Sequence, residues 1–580
     1  MIIPEGYHCL MRKLFLALLF VAPLFAQISQ LATTADGNTL LFHTNFRLQS
    51  ETDLSAQGKI YRWQNGEFTR LAATFEINQG LRPDVFKPFL TSDGNIFGWQ
   101  IQNGCSFCRF IIGYFYGSQL VNAVLPDRFP TGTLGISPNG RFFVADLFPA
   151  TVSAADLVRN AKYLDATTGV ITDLPLYIPI AQAVRQVSND GTVVFILSDP
   201  QTKGSLALWK PNTQPILIYE GGQVVDAKIS ADNGRVAFEF LSLDPQRAGE
   251  HLLAVYSATG TTIVTTQTGQ PNNMSGIFQP AWDTSGTNLL YRDFDPTTQT
   301  YALSLWNAAT NTASRILTHP EGFANATISG DASTIWAVTA LNRLLRANIP
   351  RGTIEEILPP LPLPGPVQGS FPVAGSALLI RGTAFNSANT VSLDGKELPV
   401  LAVSPEGIWV QVPWEYQQSV IPSRLAIGAP GNPFQTLVPF QISLTPIPQI
   451  VNSRTAENFM GFAKAAHQDF ASLITPENPA RSGETVHVYL TGLGPLDGPI
   501  RTGDPGPSSP PLHPLAPLRC FLDNSSVPLN SLTYAAGLIG FYQADITLPI
   551  FAAPSSSVLF CQFIRPDGLT STSAYLNTAP

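Results

Sequence analysis

Residues 32–44 read ATTADGNTLLFHT, and the phrase returns down the chain: LTSDGNIFGWQI at 90–101, GISPNGRFFVAD at 135–146, VSNDGTVVFIL at 187–197, ISADNGRVAFEF at 229–240 and WDTSGTNLLYRD at 282–293. A worn last copy, ISGDASTIWAVTA, lies at 328–340. Each copy sets a small or polar residue before Asp or Asn with Gly, then runs into an apolar, β-rich stretch. Asp and Asn cap their own turns and Gly supplies positive φ, so the phrase predicts a tight turn feeding a strand. The aligned turn positions are Gly37, Gly94, Gly140, Gly191, Gly234, Gly286 and Ala332, about 49 residues apart on average. Each copy is followed by a second strand-turn-strand unit, such as KIYRWQNGEFTRL (59–71), LAVYSATGTTIVT (253–265) and LSLWNAATNTASRIL (303–317). One turn-strand plus one hairpin makes about four strands per repeat, the size of a propeller blade. Seven copies over 27–358 predict a seven-bladed β-propeller, with the Asp and Gly residues as structural punctuation rather than a catalytic string.

Composition agrees with an all-β chain. The 580 residues are 44% hydrophobic and 13% charged, with 49 Pro, 45 Gly and 4 Met, the wrong mix for long helices. A formal net charge of -8 without clustered Lys or Arg excludes a nucleic-acid-binding face. Aromatic content of 10% argues against disorder.

Arg12 and Lys13 precede an apolar run at 14–25 (LFLALLFVAPLF), and Ala26 offers a cleavage site. This predicts a signal peptide over 1–26, with Met11 as the better start, and the run is too short to span a bilayer. The mature chain is expected to carry no transmembrane segment and to reside in the periplasm, on the cell surface or in the medium. Export permits disulfides. Cys520 and Cys561 lie in strand-like runs, LRCFLD and SVLFCQF, and read either as a bridge between neighbouring strands or as two buried thiols. Cys105 and Cys108 are the less favoured pair for a bridge. Their C-x-x-C has no second half-site for a metal and no βαβ context.

Residues 359–366 (PPLPLPGP) form a stiff linker. Beyond it, 367–446 carries short alternating strands (ALLIRGTAF, GIWVQVPW, TLVPFQISL) and is read as an immunoglobulin-like β-sandwich. Residues 447–580 are read as a second sandwich module, with one helix expected over 458–470 (NFMGFAKAAHQDF) and an exposed loop at 501–517 holding six Pro. The fold class is therefore all-β, a seven-bladed propeller followed by two sandwich modules.

The recurring S-x-D-G turn resembles the WD40-like repeat of the TolB-type propellers. The first sandwich, with Asp394-Gly395 as its turn, resembles the IPT/TIG type. Four motifs occur in order: Val410-Gln411-Val412-Pro413-Trp414-Glu415; Asn478-Pro479-Ala480 with Gly483-Glu484; Thr491-Gly492-Leu493-Gly494-Pro495; and 534–543, YAAGLIGFYQ. Together they resemble the C-terminal domain family of secreted acidobacterial proteins over about 370–578. That resemblance implies export and a sandwich architecture, and it names no reaction. Trp414, Tyr489, Phe541 and Tyr542 are expected to supply sandwich core.

Motifs for chemistry are sparse. No Gly-x-Ser-x-Gly elbow is present, since 135–139 (GISPN) fails at its last place. The histidines His43, His251, His319, His467, His487 and His513 are scattered without a His-Glu-x-x-His. No catalytic, cofactor-binding or metal-binding residue is assigned. The preferred reading is a secreted, non-catalytic binding or scaffold protein for a protein or glycan partner, its oligomeric state left open. The alternatives are a hydrolase or lyase working in the propeller channel and a TolB-like envelope protein gripping a short peptide. Three or more convergent Asp, Glu or His in the channel would favour the enzyme.

Overall fold

In the computed structural model the described residues are 28–51, 58–73, 84–102, 111–116, 119–121, 128–149, 160–174, 181–198, 204–232, 234–247, 249–267, 277–360, 363–364, 372–404, 407–416, 423–440, 442–443, 446–453, 461–565 and 568–580. The expected leader at 1–26 and the Cys105 and Cys108 pair lie outside them. The chain is all-β: among the described residues the only helical piece is a 3-10 turn at Pro245–Arg247. It divides into two compact units, mainly residues 25–361 and mainly residues 362–580.

Among the described residues the first unit is a propeller of seven four-stranded antiparallel sheets, six built from four consecutive strands and the first from four strands interrupted by the short strand Arg47–Leu48. Blade 1 comprises Ser29–Thr33, Thr39–Thr44, Lys59–Gln64 and Glu67–Ala73, and blade 7 comprises Phe323–Ile328, Thr334–Thr339, Leu344–Asn348 and Thr353–Leu358. Second strands such as Thr39–Thr44 and Thr334–Thr339 are buried on both faces, which accords with their continuous apolar runs LLF and IWAV. Outermost strands such as Thr353–Leu358 alternate far less and are largely exposed. Small cores lie between neighbouring blades; Val194 and Ile196 of blade 4, for example, pack with Val224 and Phe238 of blade 5.

The recurring phrase does two structural jobs. Within a blade, Thr34 Oγ1 donates to Asp36 Oδ1 (2.6 Å), the same carboxylate oxygen accepts Asn38 N (3.0 Å), and Thr39 N donates back to Thr34 Oγ1 (3.1 Å). The Ser/Thr-to-Asp bond recurs at Thr91 and Asp93, Ser188 and Asp190, Ser230 and Asp232, and Ser329 and Asp331. Between blades, the turns hydrogen-bond around the ring. Ala35 N donates to Ser92 O (2.8 Å), Ser92 N to Pro138 O (2.7 Å) and Asn189 N to Ala231 O (2.8 Å). Thr284 N donates to Gly330 O (2.9 Å), and Asp331 N returns to Ala35 O (2.8 Å). Pro138 has no N–H, and Asn139 N donates to Asn189 Oδ1 (2.8 Å) in its stead.

Gly37 shows why the turn needs glycine: its φ is +68°, and a Cβ there would stand 2.6 Å from Thr334 Cβ of blade 7. Gly94, Gly140, Gly191 and Gly286 share the positive φ, and Ala332 adopts it at 58°. Gly234 departs from the expected alignment. Counting from Ser230, the place of Gly37 falls on residue 233, outside the described residues, and Gly234 corresponds to Asn38 with no positive φ. Blade 6 swaps the roles: Asp283 stands where the other turns have Ser or Thr, and Ser285 Oγ donates back to it (2.9 Å).

Among the described residues no strand is exchanged between blades 1 and 7. Besides the turn bond, Trp336 Nε1 donates to Gly37 O (3.0 Å) and Arg346 Nη2 to Asn38 Oδ1 (2.8 Å). The Trp336 ring meets Trp63 edge-on with centroids 4.8 Å apart, and the Arg346 guanidinium covers both rings.

The second unit holds two two-sheet sandwiches. In the first, Ala377–Thr383, Val400–Ser404 and Gly407–Gln411 face Thr390–Leu393, Ser423–Gly428 and Phe434–Phe440, with Ile380, Ile408, Val391 and Leu425 between them. Part of the expected linker belongs to this module, since Leu363–Pro364 pairs with Thr383 and Gly382. In the second, Thr485–Thr491, Leu529–Tyr534 and Tyr542–Thr547 face Leu518–Leu522, Ser555–Arg565 and Gly568–Ala579. Cys520 and Cys561 are direct cross-strand partners joined by a disulfide within this core.

The helix expected over 458–470 does not form in the described part. Residues 461–466 run extended, and Ala465–Ala466 pairs with Val488 and His487. Ala463 and Ala465 point inward while Lys464 is exposed, a period of two rather than 3.6. His467 Nδ1 then lies 2.7 Å from Glu484 Oε1. Of the four aromatics expected in the core, Tyr542 is fully buried, whereas Trp414, Tyr489 and Phe541 are only partly so. Trp414 instead joins the two sandwiches. Its ring meets Tyr534 edge-on (5.8 Å) and its backbone N–H donates to Thr502 Oγ1 (2.9 Å). Nearby, Thr502 Oγ1 donates to Glu415 Oε2 (2.6 Å), Gly503 N to Gln411 Oε1 (2.6 Å) and Ala377 N to Gly540 O (2.9 Å). The motifs of both modules thus meet at one junction.

Candidate functional site

The innermost strands of all seven blades enclose an axial cavity of about 560 Å³. Turn residues Ala35, Ser92, Pro138, Ala231, Thr284 and Gly330 rim it, so the ring of turn hydrogen bonds frames one end. Six inner strands slip register once, between Ser29 and Ala32, Phe86 and Phe89, Pro130 and Leu134, Val184 and Gln186, Val224 and Asp226, and Phe323 and Asn325. A bulge re-aims the residues that follow it and leaves backbone groups outside the ladder.

The lining is two-sided. Blades 1 to 4 contribute largely apolar surface, including Leu31, Phe89, Ile136 and Val187. Blades 5 to 7 contribute Asp226, Gln279 and Asn325, each three residues before the last residue of its inner strand, together with Lys228 and Thr327. Lys228 Nζ lies 3.7 Å from Asp226 Oδ2. Gln279 holds a left-handed φ of 46°, and its Oε1 is buried without a hydrogen-bond partner. Gln30, across the cavity, shares the left-handed backbone at 53°. Strained polar residues at a cavity wall are a feature of binding sites.

Behind this polar sector lies a second layer. Glu239, directly opposite Asp226 in the blade 5 ladder, is wholly buried. Its Oε1 accepts Ile277 N (2.9 Å) and its Oε2 accepts Phe278 N (3.3 Å), the two residues preceding Gln279. Burial pushes the Glu239 carboxyl up to about 7, against the pull of those two hydrogen bonds. Arg292 stands at the equivalent place in blade 6. Its Nε donates to Ile277 O (3.0 Å) and its Nη1 to Ala324 O (2.9 Å), while the guanidinium covers Tyr301.

Among the described lining residues the carboxylates are Asp226 and Asp283. Asp283 is spent on its turn, accepting Ser285 Oγ, Thr287 N, Asn288 N and Asn288 Nδ2 at 2.9–3.1 Å. The lining therefore offers amides, hydroxyls and one ion pair. The turn glycines, read from sequence as structural, build the rim and present no side chain. Glu239 and Arg292 escaped notice in the sequence. The signal for Glu239 was a lone charge inside an otherwise apolar second strand, VAFEFLS; Arg292 stands in NLLYRDFD beside Asp293 and Asp295 and had no such signal.

No family model matches the chain, and no curated protein matches it. Solved β-propeller structures do. The propeller domain of the Trilobed protease from Pyrococcus furiosus aligns over 98% of its length and 58% of this chain, at 10% identity and a TM-score of 0.40. TolB from Acinetobacter baumannii aligns over 68% of its length and 53% of this chain, at 12% identity and a TM-score of 0.31. Oligogalacturonate lyase from Vibrio parahaemolyticus aligns over 87% of its length and 54% of this chain, at 12% identity and a TM-score of 0.38. The likeness is one of fold alone, shared by proteins of different function.

Proposed function

We propose that this chain is an exported, non-catalytic binding and scaffold protein that takes a protein or glycan segment in the axial cavity of its propeller. The observation that carries the reading is the polar sector of blades 5 to 7, where Asp226, Lys228, Gln279 and Asn325 face a cavity of about 560 Å³ opposite an apolar wall. Amides beside an apolar surface suit a ligand with its own amide or hydroxyl groups, held by directional bonds and desolvated on one side. A channel hydrolase or lyase would need carboxylates converging on a substrate. Asp226 beside Lys228 and Asp283 within its turn do not supply that arrangement. On this reading the second unit is a spacing or surface-associating module, related to immunoglobulin-like domains and to the C-terminal domains of secreted acidobacterial proteins. The disulfide Cys520–Cys561 accords with an oxidising compartment.

The test is capture with the full chain on immobilised glycans and from a bacterial envelope fraction, beside a Gln279→Leu, Asn325→Leu variant. Wild-type protein is expected to retain a partner that the variant binds roughly tenfold more weakly, the worth of one or two lost hydrogen bonds. Equal retention by the two proteins would remove the cavity as the site. Turnover of a glycan polymer by the wild type would replace binding with catalysis.

A further inference from the structure

The cavity wall at Gln279 is tied to a buried acid. Ile277 N and Phe278 N donate to the two oxygens of Glu239, whose side chain has no exposure to solvent. Arg292 grips the same stretch from the other side through Ile277 O, and reaches Ala324 O, the residue before Asn325. Two adjacent lining amides, Gln279 and Asn325, are thus placed by one buried acid and one largely buried base rather than by the sheet ladder alone. The left-handed φ of Gln279 means that its backbone rests in a conformation that needs holding.

We propose that Glu239 is a proton-operated tether of the binding cavity: ionised, it holds 277–278 and so fixes Gln279 in the wall, and on protonation it releases that segment. A carboxylate accepts strongly at both oxygens, whereas a carboxylic acid carries a proton on one of them and accepts there from a backbone N–H far more weakly. The longer bond, from Phe278 N at 3.3 Å, is the one given up. The groups facing Glu239 are Asp226 across the ladder, Arg292 and Tyr301 from blade 6, and His251 from the next strand of blade 5, whose Nδ1 lies 4.0 Å from Oε1. Asp226 favours the protonated acid and Arg292 the carboxylate, while burial dominates and brings the transition to about pH 7. The tether therefore works in the range where an exported protein meets changes of acidity.

This proposal rests on the cavity being the ligand site, and it is tested without any ligand, so the two readings fail separately. Hydrogen–deuterium exchange of the full chain is followed by mass spectrometry on peptides covering 277–282, corrected for the intrinsic pH dependence of exchange. Protection is expected to fall roughly three- to tenfold between pH 8 and pH 5.5, the loss of one backbone hydrogen bond. Glu239→Gln, which cannot titrate, is expected to show the same protection at both values. Asp226→Asn is a milder variant that removes a neighbouring negative charge, and it is expected to move the midpoint to lower pH. Wild-type protection that stays constant across this range, a response that persists in Glu239→Gln, or a midpoint unmoved in Asp226→Asn would each overturn the assignment.

Discussion

Closure of the propeller joins residues 299 apart in sequence, Trp336 and Gly37, through hydrogen bonds and ring contacts without a shared strand. The second sandwich joins Cys520 and Cys561, 41 residues apart, through a covalent bond between paired strands. The propeller distributes its cohesion over many near-equivalent turn bonds and small inter-blade cores, and its last seam is made by side-chain hydrogen bonds, ring packing and one turn bond. The sandwich has one continuous core and a crosslink inside it. Repetition supplies rigidity around an axis, and the seam is where that regularity has to be completed by particular side chains.

The seam gives the largest expected effect. Trp336 is wholly buried, and Trp336→Ala removes the edge contact with Trp63, the stacked Arg346 and the donor to Gly37 O. Loss of a buried tryptophan costs about 3–5 kcal/mol. Calorimetry of the variant is expected to lower the propeller transition and leave that of the second unit in place. An unchanged propeller transition would show that the turn bonds alone close the ring.

The crosslink comes next. Replacing Cys520 and Cys561 together by Ala is expected to destabilise the second unit by about 2–4 kcal/mol, chiefly by freeing the unfolded chain. A reducing agent should reproduce the shift in wild-type protein and do nothing further to the double variant. Movement of the propeller transition in either experiment would show that the effect of the crosslink is not confined to the second unit.

Much of this architecture was legible in the sequence because it is local. Asp36 caps its own turn and Gly37 takes positive φ whatever lies beyond, so seven copies announced seven sheets. ISADNGR shows the limit of that legibility: Asn and Gly stand in the reverse order to Gly37 and Asn38, so Gly234 falls one place past the turn position although Arg235 N bonds back to Ser230 Oγ as Thr39 N does to Thr34 Oγ1. The stretch at 458–470 failed for a different reason. Its alanines suit a helix, but burial on alternate residues and pairing to His487 and Val488 made it a strand, a tertiary effect absent from local propensity. The cavity wall was not legible because it is assembled from single residues on different blades. Asp226, Gln279 and Asn325 are unremarkable in their own repeats and become a surface only when three neighbouring blades set them about the axis. Trp414 was misplaced as core for the same reason, since its partner Tyr534 lies on the other sandwich.

The smallest effect compares one blade with the rest. In six turns a hydroxyl begins the phrase and an Asp or Asn follows two residues later, whereas blade 6 begins with Asp283 and follows with Ser285. Either order places one acceptor above the strand start: Asn288 N donates to Asp283 Oδ1 (3.1 Å) as Thr39 N donates to Thr34 Oγ1 (3.1 Å). The two residues therefore form one device whose parts are exchangeable only together. Asp283→Ser leaves Asn288 Nδ2 short of an acceptor and Thr287 N with Ser285 Oγ alone, and is expected to cost about 1 kcal/mol. Ser285→Asp sets a second carboxylate beside Asp283 and is expected to cost at least as much. The exchange of both restores the arrangement of Ser329 and Asp331 and is expected to lie within about 0.5 kcal/mol of wild type by denaturant unfolding. Additive losses in the double variant would mean that blade 6 needs its buried acid for something other than the turn, and Asp283 would then join Asp226 as a functional carboxylate of the cavity.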